Sequence, residues 1–266
     1  VINGYSGSWT KNLLWTRVPS TDGTSPQTFL VYAVNNVIVA MDALSRTQRF
    51  LRGHTAPVCA IAWNAERNVV GSSQSGFTAD TRLWDVRSGA CLAVLQAHDN
   101  SICTMSFSES GEYCAVVGND VHNRQTIAVW SLGSVGLGSV RRATGASTAK
   151  PRLVAKQVSD SFNISKIIFS PFESDKLVSC GNGNVRFYRI KNGHLPAVSL
   201  RLEDHAANSF TDLVFEGGSY LLTAPATSGE AGVSTGTPLS LSFSSFSFSS
   251  SLLLLLLLSV CPQLTL

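Results

Sequence analysis

An aromatic residue closing a short apolar run recurs along this chain at near-regular intervals. NLLW ends at Trp15, VCAIAW at Trp63, SICTMSF at Phe107, ISKIIF at Phe169 and FTDLVF at Phe215, in steps of 48, 44, 62 and 46 residues. A second series keeps the same pace, with NVIVAMDA around Met41 and Asp42, TRLWDV around Trp84 and Asp85, TIAVWSL around Trp130 and NVRFYRI around Tyr188. Two registers advancing together describe one repeated unit, and a fixed period constrains a fold more tightly than any single motif.

Each unit reads as short strands separated by turns. Apolar residues alternate or run on within the strands, as at Ile127, Val129 and Trp130 or at Val185, Phe187 and Ile190, which suits sheets covered on both faces. Turn residues punctuate the segments between them, at 64–68, 108–112, 171–175, 181–184 and 216–219, and where these are Gly or Asn they supply positive φ cheaply. Charged residues are only 14% of the chain and no helical period is sustained. A period of roughly 40–45 residues with about four strands predicts the blades of a β-propeller. The expected architecture is all-β: four four-stranded blades and part of a fifth over residues 3–222, an incomplete propeller whose unpaired strand edges would invite pairing with another chain.

The one long step contains an insertion, SLGSVGLGSVRRATGASTAKPR at 131–152, between the third and fourth strands of the third unit. Its Gly, Ser and Ala content predicts a surface loop without a core of its own. Residues 223–266 form a Ser-rich and then Leu-rich tail in which the strand pattern stops. Its uncharged stretch 239–261 contains nine Ser and lacks flanking basic residues, so a disordered or non-native end is expected, with a membrane tail anchor the lesser alternative. The chain opens at Val1 with no signal-like segment, and sequence upstream of it is expected. Cys59, Cys91, Cys103, Cys114, Cys180 and Cys261 contain no CxxC pair and mostly lie in apolar runs, as buried, reduced thiols of an intracellular protein would.

One stretch, 51–85, shows the unit at its clearest, opening on Gly53-His54 and closing on Trp84-Asp85. It resembles a WD repeat, and the resemblance extends over the first four units. In that family a loop His, a turn Asp, a Ser or Thr of the second strand and the Trp of the third form a hydrogen-bonded chain that fixes each blade. The resemblance assigns those roles to His54, Asp80, Ser72 or Ser73, and Trp84, with Asp85 completing the closing pair. The family's turn Asp lies six residues before the Trp; here that position is Thr78 and Asp80 lies four before. In the third unit His98 and Trp130 match, but Ser131 replaces the Asp and Asp120 is displaced by a longer turn. The strings GYSGSWTKNLLW, SSQSGFTADTRLWD, GNDVHNRQTIAVW and FSPFESDKLVSCGNGNVRFYRI look like the propellers of the echinoderm microtubule-associated protein-like branch and its ciliary and centriolar WD-repeat neighbours.

What the resemblance implies is a non-enzymatic, cytoplasmic scaffold on the cytoskeleton, at cilia, centrioles or basal bodies, with proteins as partners; tubulin is one candidate among them, and a solvated loop with no partner is the alternative. One local feature is compatible with this. Between Asp120 and Asp160 there is no acidic residue, while Arg124, Arg141, Arg142, Lys150, Arg152 and Lys156 are basic, so a loop of concentrated positive charge could meet an acidic tubulin tail. A generic adapter propeller, presenting substrates to a ubiquitin ligase or assembling a signalling complex, is the alternative. The net charge of +3 does not argue for nucleic acid. No nucleophile elbow, phosphate-binding loop or HExxH motif is present, and His122, His194 and His205 stand singly, so no catalytic residue, metal or cofactor is expected.

Overall fold

The structure, a computed structural model, describes residues 13–19, 25–136, 150–159, 163–200, 209–216 and 219–223. Arg141, Arg142 and the tail beyond Thr223 lie outside the described residues. The first sheet contains β1 (Leu13–Val18), β2 (Gln27–Val34), β3 (Val37–Asp42) and β4 (Gln48–Arg52). The second contains β5 (Val58–Asn64), β6 (Val69–Gln74), β7 (Thr81–Asp85) and β8 (Cys91–Leu95), and the third β9 (Ile102–Phe107), β10 (Tyr113–Asn119), β11 (Gln125–Ser131) and β12 (Arg152–Val158). The fourth holds β13 (Ile164–Phe169), β14 (Lys176–Gly181), β15 (Asn184–Arg189) and β16 (Ala197–Ser199); β17 (Asp212–Glu216) and β18 (Ser219–Thr223) form a separate hairpin. Every sheet is an antiparallel meander in chain order, and first strands of successive sheets lie side by side, β5 against β9, β9 against β13 and β13 against β17. This is the arrangement of propeller blades, four of them and a two-stranded part of a fifth, and the described sheets do not close into a ring.

Strand register explains the two sequence series. Trp15, Trp63, Phe107, Phe169 and Phe215 stand opposite Leu30, Val70, Cys114, Leu177 and Tyr220 on the second strands. On the third strands of the four complete sheets the same row continues to Met41, Trp84, Trp130 and Tyr188. Each blade therefore repeats one cross-strand row at one height. Tight turns keep it in place: Asn35 takes a φ of +53° between β2 and β3, a backbone conformation that Asn tolerates better than most residues.

The cores lie between sheets. Val18, Ile38, Leu51, Val70 and Trp84 belong to the layer between the first and second, and Val69, Leu83, Ile102, Cys114 and Val116 to that between the second and third. Ala115, Val117, Ile127, Ile167 and Tyr188 fill the next, and Val178, Phe187, Phe210 and Leu213 the last. Because side chains alternate across a strand, β10 sends Cys114 and Val116 one way and Ala115 and Val117 the other. A middle strand of a sheet covered on both sides thus has no solvent face, and all six residues of β6 are buried. Among the cysteines, Cys59, Cys114 and Cys180 are buried as expected; Cys91 is exposed because β8 is an outer strand, and Cys103, on β9, is half-buried.

The insertion does separate β11 from β12, which pair with each other. Its first turn is not a bare surface loop, however. Leu132 is fully buried between the second and third sheets, and its N–H donates to the Glu112 carbonyl at 2.8 Å. Arg67 of the second sheet donates from Nη1 to the Gly133 and Val135 carbonyls, both at 2.8 Å. Two apolar residues within a Gly-Ser background are enough to dock this segment on the neighbouring blade.

Gly181, at the end of β14, packs against backbone: a Cβ there would lie 1.8 Å from the Asn163 carbonyl oxygen, which already accepts from the Asn182 N–H at 3.1 Å. Backbone cannot rotate away as a side chain can. Gly181→Ala is expected to lower stability by about 3 kcal/mol, read as a reduced midpoint in urea unfolding.

Candidate functional site

Burial on both faces dictates what the polar residues of β6 and its neighbours must do, because a buried hydroxyl or imidazole without a partner costs about 1–3 kcal/mol. In the second blade they form a directed chain. Trp84 Nε1 can only donate, and it donates to Ser72 Oγ at 2.7 Å. The Ser72 hydroxyl lies 2.7 Å from His54 Nε2, and His54 Nδ1 lies 2.9 Å from Gln74 Oε1. Gln74 is oriented independently, since its Oε1 accepts from the Thr55 N–H and its Nε2 donates to Thr55 Oγ1 and the Thr78 carbonyl. The proton of His54 therefore sits on Nδ1, and Ser72 passes its own to Nε2.

Asp80 closes the cluster electrostatically. One carboxylate oxygen lies 3.2 Å from His54 Nδ1 and the other 3.0 Å from Arg82 Nη2. Burial pushes the Asp80 carboxyl up, but the His54 contact and the Arg82 guanidinium outweigh it and hold the pKa below the usual carboxylate value. Between the two serines weighed above, the pleat decides: Ser72 points to the His54 side, whereas Ser73 points to the other face, 2.7 Å from Thr81 Oγ1.

Two residues of the expected network lie elsewhere. Asp85 faces the turn after β7, accepting from the Arg87 N–H at 2.9 Å and the Ser88 hydroxyl at 2.6 Å. Trp130 packs in the apolar layer between the second and third sheets. The register puts Val116, which has no hydroxyl, at Ser72's place, so no bridge to an indole can form. His98 instead meets Thr126 Oγ1 at 2.9 Å through Nδ1, and Gly118 leaves room for its ring, since a Cβ there would come within 2.8 Å of it. Thr126 occupies the position of Asp80. The fourth blade keeps the contact in another form: Ser179, at Ser72's place, donates to the Tyr188 hydroxyl at 3.2 Å, with Tyr188 at the place of Trp84. Gln74 and Thr126 were not anticipated from the sequence. Gln74 stands two residues beyond Ser72, on the same face of the strand, and that spacing was the available signal.

The described basic candidates do not form one patch. Arg124 is held in the β10–β11 turn by Asp120, with Nε and Nη2 at 3.0 and 2.9 Å from the same carboxylate oxygen. Lys156 donates to the Ala97 carbonyl. Arg152 pairs with Ser131 at one end of β12, and Lys156 sits opposite Ala128, about 13 Å away at ~3.3 Å per residue. Lys150 and Arg152, at the end of the insertion, are exposed, and they are the described members of the set that belong to it. Among the described residues, no group of three or more His, Cys, Asp or Glu could hold a metal ion.

Ser72→Ala strands both His54 Nε2 and Trp84 Nε1, whereas Ser179→Ala loses one exchangeable bond to Tyr188. In thermal or urea unfolding the first is expected to cost about 2–3 kcal/mol and the second about 1 kcal/mol or less.

Burial, with Lys156 nearby, lowers the His98 pKa from 6.5 to about 4, and its Nε2 has no hydrogen-bond partner among the described residues. The unfolded chain then binds more protons than the folded one between these values. The stability that neutral His98 contributes is full above pH ~6.5 and is lost as pH falls towards 4, by about 3 kcal/mol in total. Urea midpoints measured across this window should fall with acidification, and His98→Gln should flatten the decline.

The repeat itself matches the family model described as "WD domain, G-beta repeat" over residues 89–131. The chain is 33% identical over 215 residues to WD repeat-containing protein 90 of Homo sapiens, covering 81% of this chain and 11% of that protein. It is 33% identical over 245 residues to centriole proteome protein 16 of Chlamydomonas reinhardtii, covering 82% and 11%. Cilia- and flagella-associated protein 251 of the same alga is 27% identical over 210 residues, covering 76% and 26%. The chain thus spans about a tenth of the length of the first two relatives.

Proposed function

This chain belongs to the WD-repeat family, whose propellers bind other proteins, and from that premise we propose that it is a non-enzymatic scaffold of microtubule-based structures, in cilia or centrioles. The observation that carries the reading is the similarity to centriole proteome protein 16 across four-fifths of the chain, with ciliary proteins such as the flagella-associated relative following. The internal chemistry supports it. His54, His98 and Trp84, the residues that would draw attention as catalytic or ligand-binding groups, are buried and engaged in holding blades together.

Contact with microtubules is assigned to the insertion, through Lys150 and Arg152 together with Arg141 and Arg142, which lie outside the described residues. Arg124 and Lys156 are engaged within the blade and contribute less. Exposed charges of this kind act at long range and are screened by salt.

Co-sedimentation with microtubules checks the proposal. The chain should pellet with them at low salt and be released as salt rises. Neutralising Arg141, Arg142, Lys150 and Arg152 together should weaken binding by about tenfold, at 0.2–1 kcal/mol for each exposed pair. Absence from the low-salt pellet counts against microtubule association, and binding indifferent to the four substitutions removes the insertion's role in it.

A further inference from the structure

A cleft of about 630 Å³ lies between the outer strands of the third and fourth blades, where Gln157 of β12 faces Arg186, Lys191, His194, Ala197 and Ser199. Arg186 and Lys191 are cationic, His194 adds an imidazole, and none of the described residues lining the cleft is acidic. Comparison with the second blade shows how the local charge changes. Arg82 and Arg186 occupy the same place in their sheets, but the position of Asp80, whose carboxylate pairs with Arg82, is here Asn184, a neutral side chain.

One wall of the cleft is a hydrogen-bonded turn. Lys191 and His194 exchange two backbone hydrogen bonds, at 2.9 and 3.0 Å, across an Asn192-Gly193 turn in which both residues take positive φ, 50° and 82°. That is the turn geometry which closes a tight hairpin without splaying it, and it holds the two side chains together at the mouth. Arg186 is oriented as well, with Nε donating to Ser199 Oγ at 3.0 Å.

The adjoining strand offers a second recognition element. Arg189 N–H donates to the Pro196 carbonyl and Leu200 N–H to the Val185 carbonyl, so residues 196, 198 and 200 direct their backbone groups towards β15. By alternation the N–H and C=O of Ala197 and Ser199 point to the outer edge of β16, with which no described strand pairs. A compact anion could use only the cations. A nucleic acid would call for basic residues spread along a stripe, and these are gathered in one cleft. An extended peptide can use both elements, hydrogen-bonding to the strand edge while acidic side chains reach the cations.

We propose that this cleft binds an acidic peptide segment in extended conformation, laid along β16 with its carboxylates against Arg186, Lys191 and His194. The site does not rest on the microtubule reading, because a chain indifferent to microtubules could still hold such a segment.

The test is fluorescence anisotropy of a short, labelled Glu-rich peptide titrated with the whole chain at low salt. Binding should weaken by about tenfold in R186Q/K191Q. It should weaken roughly threefold to tenfold in A197P, which removes one outward N–H and leaves the bonds to β15 in place. Circular dichroism and thermal midpoints establish that the variants fold, and K191Q alone, at an exposed turn, keeps the charge arm readable should the double variant not fold. Equal binding by the parent and the charge variants overturns the proposal. Loss in R186Q/K191Q with none in A197P, together with displacement of the peptide by inorganic phosphate, also overturns it and leaves a site for small anions. Tighter binding of a labelled oligonucleotide than of the peptide, with the same sensitivity to R186Q/K191Q, overturns it in favour of nucleic acid.

Discussion

Each inner sheet of this protein is covered on both faces by its neighbours, and a middle strand such as β6 therefore has nowhere to turn a polar side chain towards water. The Ser72 hydroxyl meets this constraint by being donor and acceptor at once, taking the Trp84 indole proton and giving its own to His54. Through His54 the chain reaches from the loop before β5 to the second strand, and through Trp84 to the third. One oxygen thus ties together three segments, adding side-chain bonds to the backbone ladder that already pairs β6 with β7. Because the low-polarity interior strengthens made hydrogen bonds and penalises unmade ones, such a cluster specifies register as well as adding stability. The other blades meet the same constraint with different groups, Thr126 with His98 in the third and Ser179 with Tyr188 in the fourth.

The repeat as written in the sequence and the blade as built in space are out of step by one strand. The family match begins just before β8, the outer strand of the second sheet, and ends with β11, the third strand of the third. His54 behaves likewise, following the last strand of the first sheet but bonding within the second. Every sequence repeat is therefore shared between two sheets, and the covalent chain itself links neighbours that their cores hold face to face. The widened turn between β6 and β7 adds to this: the Thr78 N–H donates to the Asp99 carbonyl at 3.0 Å and the Gly76 N–H to Ser101 Oγ at 3.2 Å, which docks the turn on the loop leading into the third blade. With the interior groups engaged in this way, chemistry directed at partners falls to turns and outer strands. Phe77 and Val121, at the tips of the β6–β7 and β10–β11 turns, are among the most exposed apolar side chains described.

Period and closing aromatics were enough to place the blades. They could be read because a cross-strand row with one aromatic per first strand must recur each time the same sheet is rebuilt, from Trp63 to Phe107 to Phe169. The partners inside each row were less legible. His54 and Trp84 are rare residues with a recognisable spacing, whereas Gln74 and Thr126 are ordinary polar residues whose role depends on which way the pleat turns them. The choice between Ser72 and Ser73 was open for the same reason, since adjacent residues on a strand face opposite layers. The basic run from Arg124 to Lys156 was legible as charge but not as arrangement. Closeness along the chain suggested one patch, but an antiparallel strand carries its ends apart, so that Lys150 and Arg152 lie at one end of β12 and Arg124 beside the other.

By itself the sequence determined the fold class, the position of each blade along the chain and the place of the insertion, because period and strand alternation are local and survive translation into any blade. Tertiary structure alone decided which neighbours a side chain meets. The docking of Leu132 on the second blade and the gathering of Gln157, Arg186, Lys191 and His194 around one cleft both join residues from different strands or sheets. Such contacts depend on how sheets stack, and stacking is set by side chains far apart in the chain whose pairing no local pattern records.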